Sequence, residues 1–77
     1  MYDAFHIDVA VEPRQIDFLN RVFEGYDYLC VVSTVDAANG VVRLRGFGRR
    51  GPVRRVLKGL PFPCRILAEE PPLDTES

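Results

Sequence analysis

The residues whose chemistry most clearly suggests a binding function are eight basic side chains between residues 37 and 68, a stretch that contains no acid. Such a block predicts an electropositive surface, because no carboxylate within it neutralises the cations. The acids lie on either side: seven in residues 1–36 and four in residues 69–77. The predicted binding surface comprises Arg43, Arg45, Phe47, Arg49, Arg50, Arg54, Arg55 and Lys58.

One short motif in this block suggests nucleic acid as a ligand. Arg45-Gly46-Phe47-Gly48 matches the first four positions of the RNA-recognition-motif signature. An aromatic ring on an open sheet can stack on a base while neighbouring arginines hold phosphates. The match ends there, since Arg49-Arg50-Gly51 replaces the second aromatic and Phe5 on the first strand is predicted to face the core. RNA or DNA binding is therefore an alternative hypothesis.

Catalysis and metal binding have little support in the sequence. His6 is the only histidine, and the residues that could approach it are Asp8 and Thr34. A general base needs a positioned partner within hydrogen-bond reach, and no nucleotide-binding or nucleophile motif occurs. Cys30 and Cys64 lie in no Cys-x-x-Cys pair. We predict a non-enzymatic protein without metal or cofactor, with two buried thiols and no disulfide.

Hydrophobic periodicity predicts the elements that would position these residues. Alternating apolar side chains indicate strands, and apolar residues three or four apart indicate helices. Pro13 and Pro52 suit the first turns of the two helices. Gly25 suits a left-handed helix C-cap, and Gly59 is expected to end the second helix. In chain order we predict a strand at 5–11, a helix at 13–24, strands at 28–35 and 41–47, a helix at 52–59 and a strand at 64–68.

The two middle strands are predicted to form a hairpin around Asn39-Gly40, a dipeptide typical of a type I′ turn. A loop with an even number of residues, two or four, places one set of side chains in the core: Leu29, Val31, Ser33, Val35, Val42, Leu44 and Gly46. The uncovered face should then show His6, Asp8, Thr34, Arg43, Arg45 and Phe47, and Asp8 beside Arg43 or Arg45 would form a cross-strand charge pair. An odd loop with a bulge would break this parity.

The order strand–helix–strand–strand–helix–strand predicts an α+β, ferredoxin-like βαββαβ sandwich. Right-handed crossovers give a four-stranded antiparallel sheet in the spatial order 4-1-3-2 with both helices on one face. Residues 1–68 form the single predicted domain, and residues 69–77, with four acids and two prolines, form a predicted flexible tail.

A chain of 77 residues buries a modest core, and oligomerisation often stabilises domains of this size. The second strand is apolar on both sides and is predicted to be an edge, which favours pairing with another chain. We predict a homodimer with contacts from Tyr28, Cys30 and Val32. The leading hypothesis is a domain that acts through protein contacts or homodimerisation. With no signal peptide and no membrane-spanning run, it is expected to be cytoplasmic.

Two resemblances add to this interpretation. A helix ending in Glu-Gly-Tyr-Asp, then Leu-Cys-Val-Val-Ser-Thr-Val-Asp, a short turn and Gly-Val-Val-Arg-Leu resemble a small bacterial domain family of unknown function, over roughly residues 7–45. The resemblance implies a ferredoxin-like fold and brings no catalytic residues. The element order is also similar to that of ACT-type sensors, which bind amino acids at a glycine-containing loop after the first strand. Here that link is Glu12-Pro13, which is short and glycine-free, so a small-molecule sensor is the third hypothesis.

Overall fold

The computed structural model describes residues 4–70 and has the predicted βαββαβ order. All neighbouring strands are antiparallel, and from one edge to the other the sheet runs second, third, first and fourth strand, as predicted. A short 3-10 turn at Pro13–Gln15 leads into the first helix. The elements are β1 Ala4–Ala10, α1 Ile16–Glu24, β2 Val31–Asp36, β3 Val41–Phe47, α2 Gly51–Lys58 and β4 Arg65–Glu70.

Both helices pack on the same face of the sheet, since their buried side chains belong to one hydrophobic cluster. Leu19 and Phe23 from α1 and Val53 from α2 are nearly inaccessible to solvent. They meet the inward-facing residues of the central strands, such as Ile7 and Leu44. Each fully buried aliphatic or aromatic side chain stabilises the fold by roughly 1.5–3 kcal/mol relative to exposure. This face therefore holds the sandwich together.

A β-bulge changes which side chains of β2 face the core. Val32 lies opposite Leu44 and Thr34 opposite Val42, but Asp36 then lies opposite Val41, so Val35 has no partner. The extra residue reverses the predicted alternation. The predicted faces of β2 are therefore wrong. The core side carries Cys30, Val32 and Thr34, and the uncovered side carries Val31 and Ser33.

The hairpin turn also differs from the prediction. Residues 37–40 form the turn, in which the Gly40 N–H donates to the Ala37 carbonyl at 3.2 Å. Asn39 does not adopt a positive φ, so the turn is not type I′; only Gly40 in this turn does, at 71°. The Asp36 carboxylate accepts hydrogen bonds from Asn39 Nδ2 at 2.7 Å and from its backbone N–H at 3.3 Å. These bonds lower the pKa of Asp36 and favour a four-residue loop.

Two helix-end predictions had different outcomes. Gly25 caps α1 with φ −77°, so it is right-handed and the left-handed cap was wrong. The Gly25 N–H reaches the Val22 carbonyl at 3.1 Å, which continues a right-handed turn beyond the helix. Gly59 follows α2 as predicted, and its N–H donates to the Arg55 and Val56 carbonyls.

The last strand is longer than predicted, because it runs to Glu70 rather than to Ala68. Glu69 Oε2 accepts a hydrogen bond from Arg54 at 2.7 Å and lies 3.9 Å from Arg50. Its side chain is only 10% exposed. This pairing allows an acidic residue to continue the strand under α2. The rest of the predicted tail, residues 71–77, lies outside the described residues.

Candidate functional site

The uncovered side of the sheet, called here the open face, presents four rows of side chains set by the strand register. Rows two to four cross β2, β3, β1 and β4 in that order, and the first row spans only β3 and β1. The first row is Phe47, Ala4; the second is Val31, Arg45, His6, Glu70; the third is Ser33, Arg43, Asp8, Ala68; and the fourth is Asp36, Val41, Ala10, Arg65.

The centre of the open face is a bidentate ion pair between neighbouring strands. Arg43 Nε donates to Asp8 Oδ1 at 2.7 Å, and Arg43 Nη2 donates to Asp8 Oδ2 at 2.9 Å. The hydrogen bond from Arg43 holds the pKa of Asp8 below its usual value, so Asp8 stays ionised. The predicted cross-strand charge pair is confirmed. Arg43 is therefore neutralised by its own sheet.

Charges of the two signs balance across the open face. Its three cations are Arg43, Arg45 and Arg65, and its three anions are Asp8, Asp36 and Glu70. A surface of this kind lacks the concentrated positive field that attracts a polyanion. These acids lie outside the basic block of residues 37–68, on β1, β2 and β4, which is why the charge run alone suggested an electropositive surface.

The structure divides the predicted basic surface into two parts. Arg43, Arg45 and Phe47 lie together on the open face, while the other five residues lie in the loop after β3 and on α2. Arg54 binds Glu69 on the helix-covered side, and the Arg50 guanidinium lies 5.6 Å from the centre of the Phe5 ring. The remaining three are exposed: Arg49, Arg55 and Lys58.

Apolar side chains are concentrated at the first two rows of the open face. Phe47 is 73% exposed and Val31 is 64% exposed. With Ala4, Arg45 and Glu70 they border a shallow depression of about 580 Å³. Exposed apolar clusters of this kind often mark contact surfaces. Sequence reasoning missed Val31 and Glu70, because the bulge in β2 and the length of β4 were not foreseen.

The three predicted dimer contacts lie in different environments. Tyr28 is 76% exposed, in the turn before β2. Cys30 is buried, and Val32 is half-buried against the core, so both lie on the helix-covered side of the strand. Burial raises the pKa of the Cys30 thiol to about 11, which keeps it protonated at neutral pH. Both cysteines are free, and Cys64 is partly buried.

Both edge strands carry irregularities that oppose pairing with another strand. In β2, Val35 lies outside the ladder to β3. In β4, Leu67 lies outside the ladder to β1, between Ala68 and Ile66. Bulges twist an edge and interrupt its row of hydrogen-bonding groups, which is how natural sheets discourage edge addition. The open face is thus better suited to a partner than either edge.

His6 lies between Arg45 and Glu70 in the second row of the open face. Within residues 4–70 it makes no hydrogen bond to an acid that would position it as a base.

None of the helices within residues 4–70 has the length and apolar character needed to cross a membrane.

In the comparison with protein families, residues 9–63 match the model of the family described as "Domain of unknown function (DUF4911)". The search of curated proteins found no match, and neither did the search of solved structures.

Proposed function

The chain belongs to the DUF4911 family, whose description assigns no activity, and we propose that it is a non-enzymatic domain that forms a homodimer through its open face. The observation that carries the proposal is that the open face is complementary in charge to a second copy of itself. Two sheets would pack face to face, as in a β-sandwich. The strand edges, with their bulges, would stay free.

The charge complementarity follows from the strand register. A two-fold axis parallel to the strands, between β3 and β1, places each β3 residue opposite the β1 residue of the same row in the second copy. Arg43 then faces Asp8 of the second copy, and the register already makes these two residues neighbours within one chain. Asp36 at one edge faces Arg65 of the second copy. Opposite charges therefore meet at the centre and at one edge of the interface, while in the second row Arg45 faces His6 and Glu70 faces Val31.

Side-chain size is complementary about the same axis. Phe47 shares a row with Ala4, and Val41 shares a row with Ala10. In the dimer Phe47 and Val41 would each lie over an alanine of β1. Packed sheets twist by about 30° relative to each other, so these pairings hold best near the axis. The exposed Phe47 ring would lose most of its contact with water.

The expected dimer is weak because the interface is small. Four strands spaced about 4.8 Å apart, with seven residues rising about 3.3 Å each, give a face of roughly 400 Å² in projection. Stable interfaces commonly bury about 800 Å² per partner. We therefore expect a dissociation constant in the micromolar range or weaker, and the monomer and dimer to exchange at ordinary concentrations.

Nucleic acid is the second candidate for the same face. It is favoured by one observation, the exposed Phe47 ring near Arg45, a cation that forms no ion pair within residues 4–70. Aromatic stacking with a neighbouring arginine is a common way to hold single-stranded nucleic acid. Asp8, Asp36 and Glu70 on the same face oppose it, because their charges repel phosphates.

Sedimentation equilibrium over a range of concentrations tests the proposal. The variant Phe47→Asp puts a charge at the apolar end of the open face and is expected to be monomeric at concentrations where the wild type dimerises. Tyr28→Asp is the matched control, because Tyr28 is 76% exposed and Phe47 is 73% exposed. Tyr28 lies outside the open face, so its variant should dimerise normally.

Three outcomes would overturn the proposal. A wild type that stays monomeric at millimolar concentration would do so, and so would loss of the dimer in Tyr28→Asp but not in Phe47→Asp. The third is a wild type that binds a random single-stranded oligonucleotide with an affinity that falls steeply with salt. In that case nucleic acid would take the place of the second copy.

A further inference from the structure

A second surface lies on the opposite side of the molecule, between the two helices. This helix groove has a volume of about 710 Å³, within the range of small-molecule sites. Phe18 and Val22 of α1 form one wall, and Val56 of α2 and Leu60 just after it form the other. The groove is separate from the open face, because the sheet lies between them.

Aromatic rings give the helix groove a preformed apolar lining. Phe18 is 42% exposed, yet its ring is fixed by an edge-to-face contact with Phe62 at 5.4 Å between centroids. Tyr26 and Tyr28 also line the groove, with their ring centroids 6.2 Å apart. Single exposed aromatic side chains are common, but several that lie together in one groove are typical of a binding site.

The polar lining of the helix groove is cationic. Arg55 lines it and makes no ion pair within residues 4–70, whereas the preceding residue Arg54 is held by Glu69. Lys58, one turn further along α2, is also exposed. No aspartate or glutamate of residues 4–70 lines the groove. A groove with apolar walls and one cation that has no counter-charge within residues 4–70 suits a ligand with an anionic head and an apolar chain or ring.

We propose that the helix groove binds a small amphipathic carboxylic acid, with its hydrocarbon or aromatic part between Phe18 and Val56 and its carboxylate on Arg55. A guanidinium can hold one carboxylate with two parallel hydrogen bonds. A polyanion such as nucleic acid would need several cations along its path, and residues 4–70 contribute one to the groove lining. This site does not depend on dimerisation through the open face.

Octanoate and 1-octanol form a matched pair of probes, because they share a chain length and differ in the charged head. Binding is measured from amide chemical shifts in ¹H–¹⁵N spectra of the full chain. We expect octanoate to shift the amides of Val22, Arg55 and Leu60 in a saturable way. Octanol should bind several-fold more weakly. Tyrosine fluorescence is a second readout, since the chain has no tryptophan and two of its three tyrosines line the groove.

Substitutions distinguish the contribution of the Arg55 cation to binding from that of the apolar walls. Arg55→Gln is expected to weaken octanoate binding about threefold, the size of a half-exposed ion pair, and to leave octanol binding unchanged. Arg49→Gln is the matched control, because it removes an exposed arginine outside the groove. It should change neither affinity. Val56→Asp should abolish the binding of both probes.

The proposal would be overturned by equal binding of octanoate and octanol, or by equal losses in Arg55→Gln and Arg49→Gln. Shifts confined to open-face residues, such as His6 and Arg45, would also overturn it. A failure of the dimer proposal leaves this test unaffected. Sedimentation of Arg55→Gln should show the same dimerisation as the wild type.

Discussion

The two faces of the sheet use the same kinds of side chain for different purposes. Each face carries an arginine–carboxylate contact, Arg43 with Asp8 on the open face and Arg54 with Glu69 on the covered face. On the covered face the contact fastens α2 to the edge strand β4 above an apolar core. On the open face no helix covers the contact, and apolar and charged side chains remain available to a partner. Burial on one side thus supplies stability, and exposure on the other leaves a surface for association.

The largest expected difference between the faces concerns β3, whose residues point alternately to each side. Leu44 is fully buried under the helices, and Phe47 is 73% exposed on the open face. Leu44→Ala should lower the free energy of unfolding by about 2–5 kcal/mol, because it leaves a cavity. Phe47→Ala should change it by less than about 0.5 kcal/mol in dilute monomer. Urea unfolding followed by circular dichroism measures both. Equal losses would contradict the assignment of the faces.

The next effect concerns the turn that sets the register of both faces. Gly40 has φ 71°, and a Cβ atom there would lie 1.7 Å from the Val11 carbonyl oxygen. Gly40→Ala should therefore lower the free energy of unfolding by at least about 1–3 kcal/mol. Gly51→Ala is the control, since a Cβ atom at the start of α2 meets nothing within 4 Å. It should be neutral or slightly stabilising. Thermal unfolding of both variants measures the two losses of stability. A larger loss in Gly51→Ala than in Gly40→Ala would contradict this role of Gly40.

A smaller change in the free energy of unfolding is expected when the carboxylate of either arginine–carboxylate contact is neutralised. Glu69→Gln should cost about 1 kcal/mol, because Arg54 loses a nearly buried counter-charge. Asp8→Asn should cost a similar amount, since Asp8 is 16% exposed against 10% for Glu69 and Arg43 loses a bidentate partner. Chemical unfolding at neutral pH gives both values. A larger loss in Asp8→Asn would mean that the open-face pair contributes more to stability than the contact under α2.

The pH dependence of stability tests the same open-face pair. The hydrogen bond from Arg43 lowers the pKa of Asp8 in the folded state below its ordinary value of 3.8. Its contribution is therefore complete above that ordinary value and is lost as the pH falls through the lower folded-state pKa. The wild type should lose more stability than Asp8→Asn between pH 5 and about pH 2. Parallel curves would show that the pair does not stabilise the fold.

The sequence was sufficient for the fold because its apolar periodicity is regular in most elements. Phe5, Ile7 and Val9 alternate cleanly, and the stripe of α1 includes Ile16, Leu19 and Phe23. These patterns predict the element order, and chain connectivity then limits the strand order. The pairing of Asp8 with an arginine of the third strand followed from this topology, which places the first and third strands side by side. The register then selects Arg43 rather than Arg45.

The open face was harder to predict because it depends on register. A single extra residue at Val35 moved Val31 to the open face and Cys30 to the core. No local pattern distinguishes such a bulge from a regular strand. Glu70 was assigned to a tail because its strand continues through two acids, and the partner that makes this favourable for Glu69, Arg54, lies on another element. Arg55 was predicted as part of the basic surface, but only the packing of the helices reveals the groove beside it.

The most direct test of self-association through the open face is to mix two charge-reversed variants, Asp8→Arg and Arg43→Asp, in sedimentation equilibrium. Each variant alone would place like charges opposite each other across the two-fold axis, so each is expected to be monomeric. When the two variants are mixed in equal amounts, the open face of Asp8→Arg carries two cations at its centre and that of Arg43→Asp carries two anions. A heterodimer at least as stable as the wild-type dimer is expected. Circular dichroism confirms that both variants are folded. A mixture that remains monomeric while the wild type dimerises would contradict this interface.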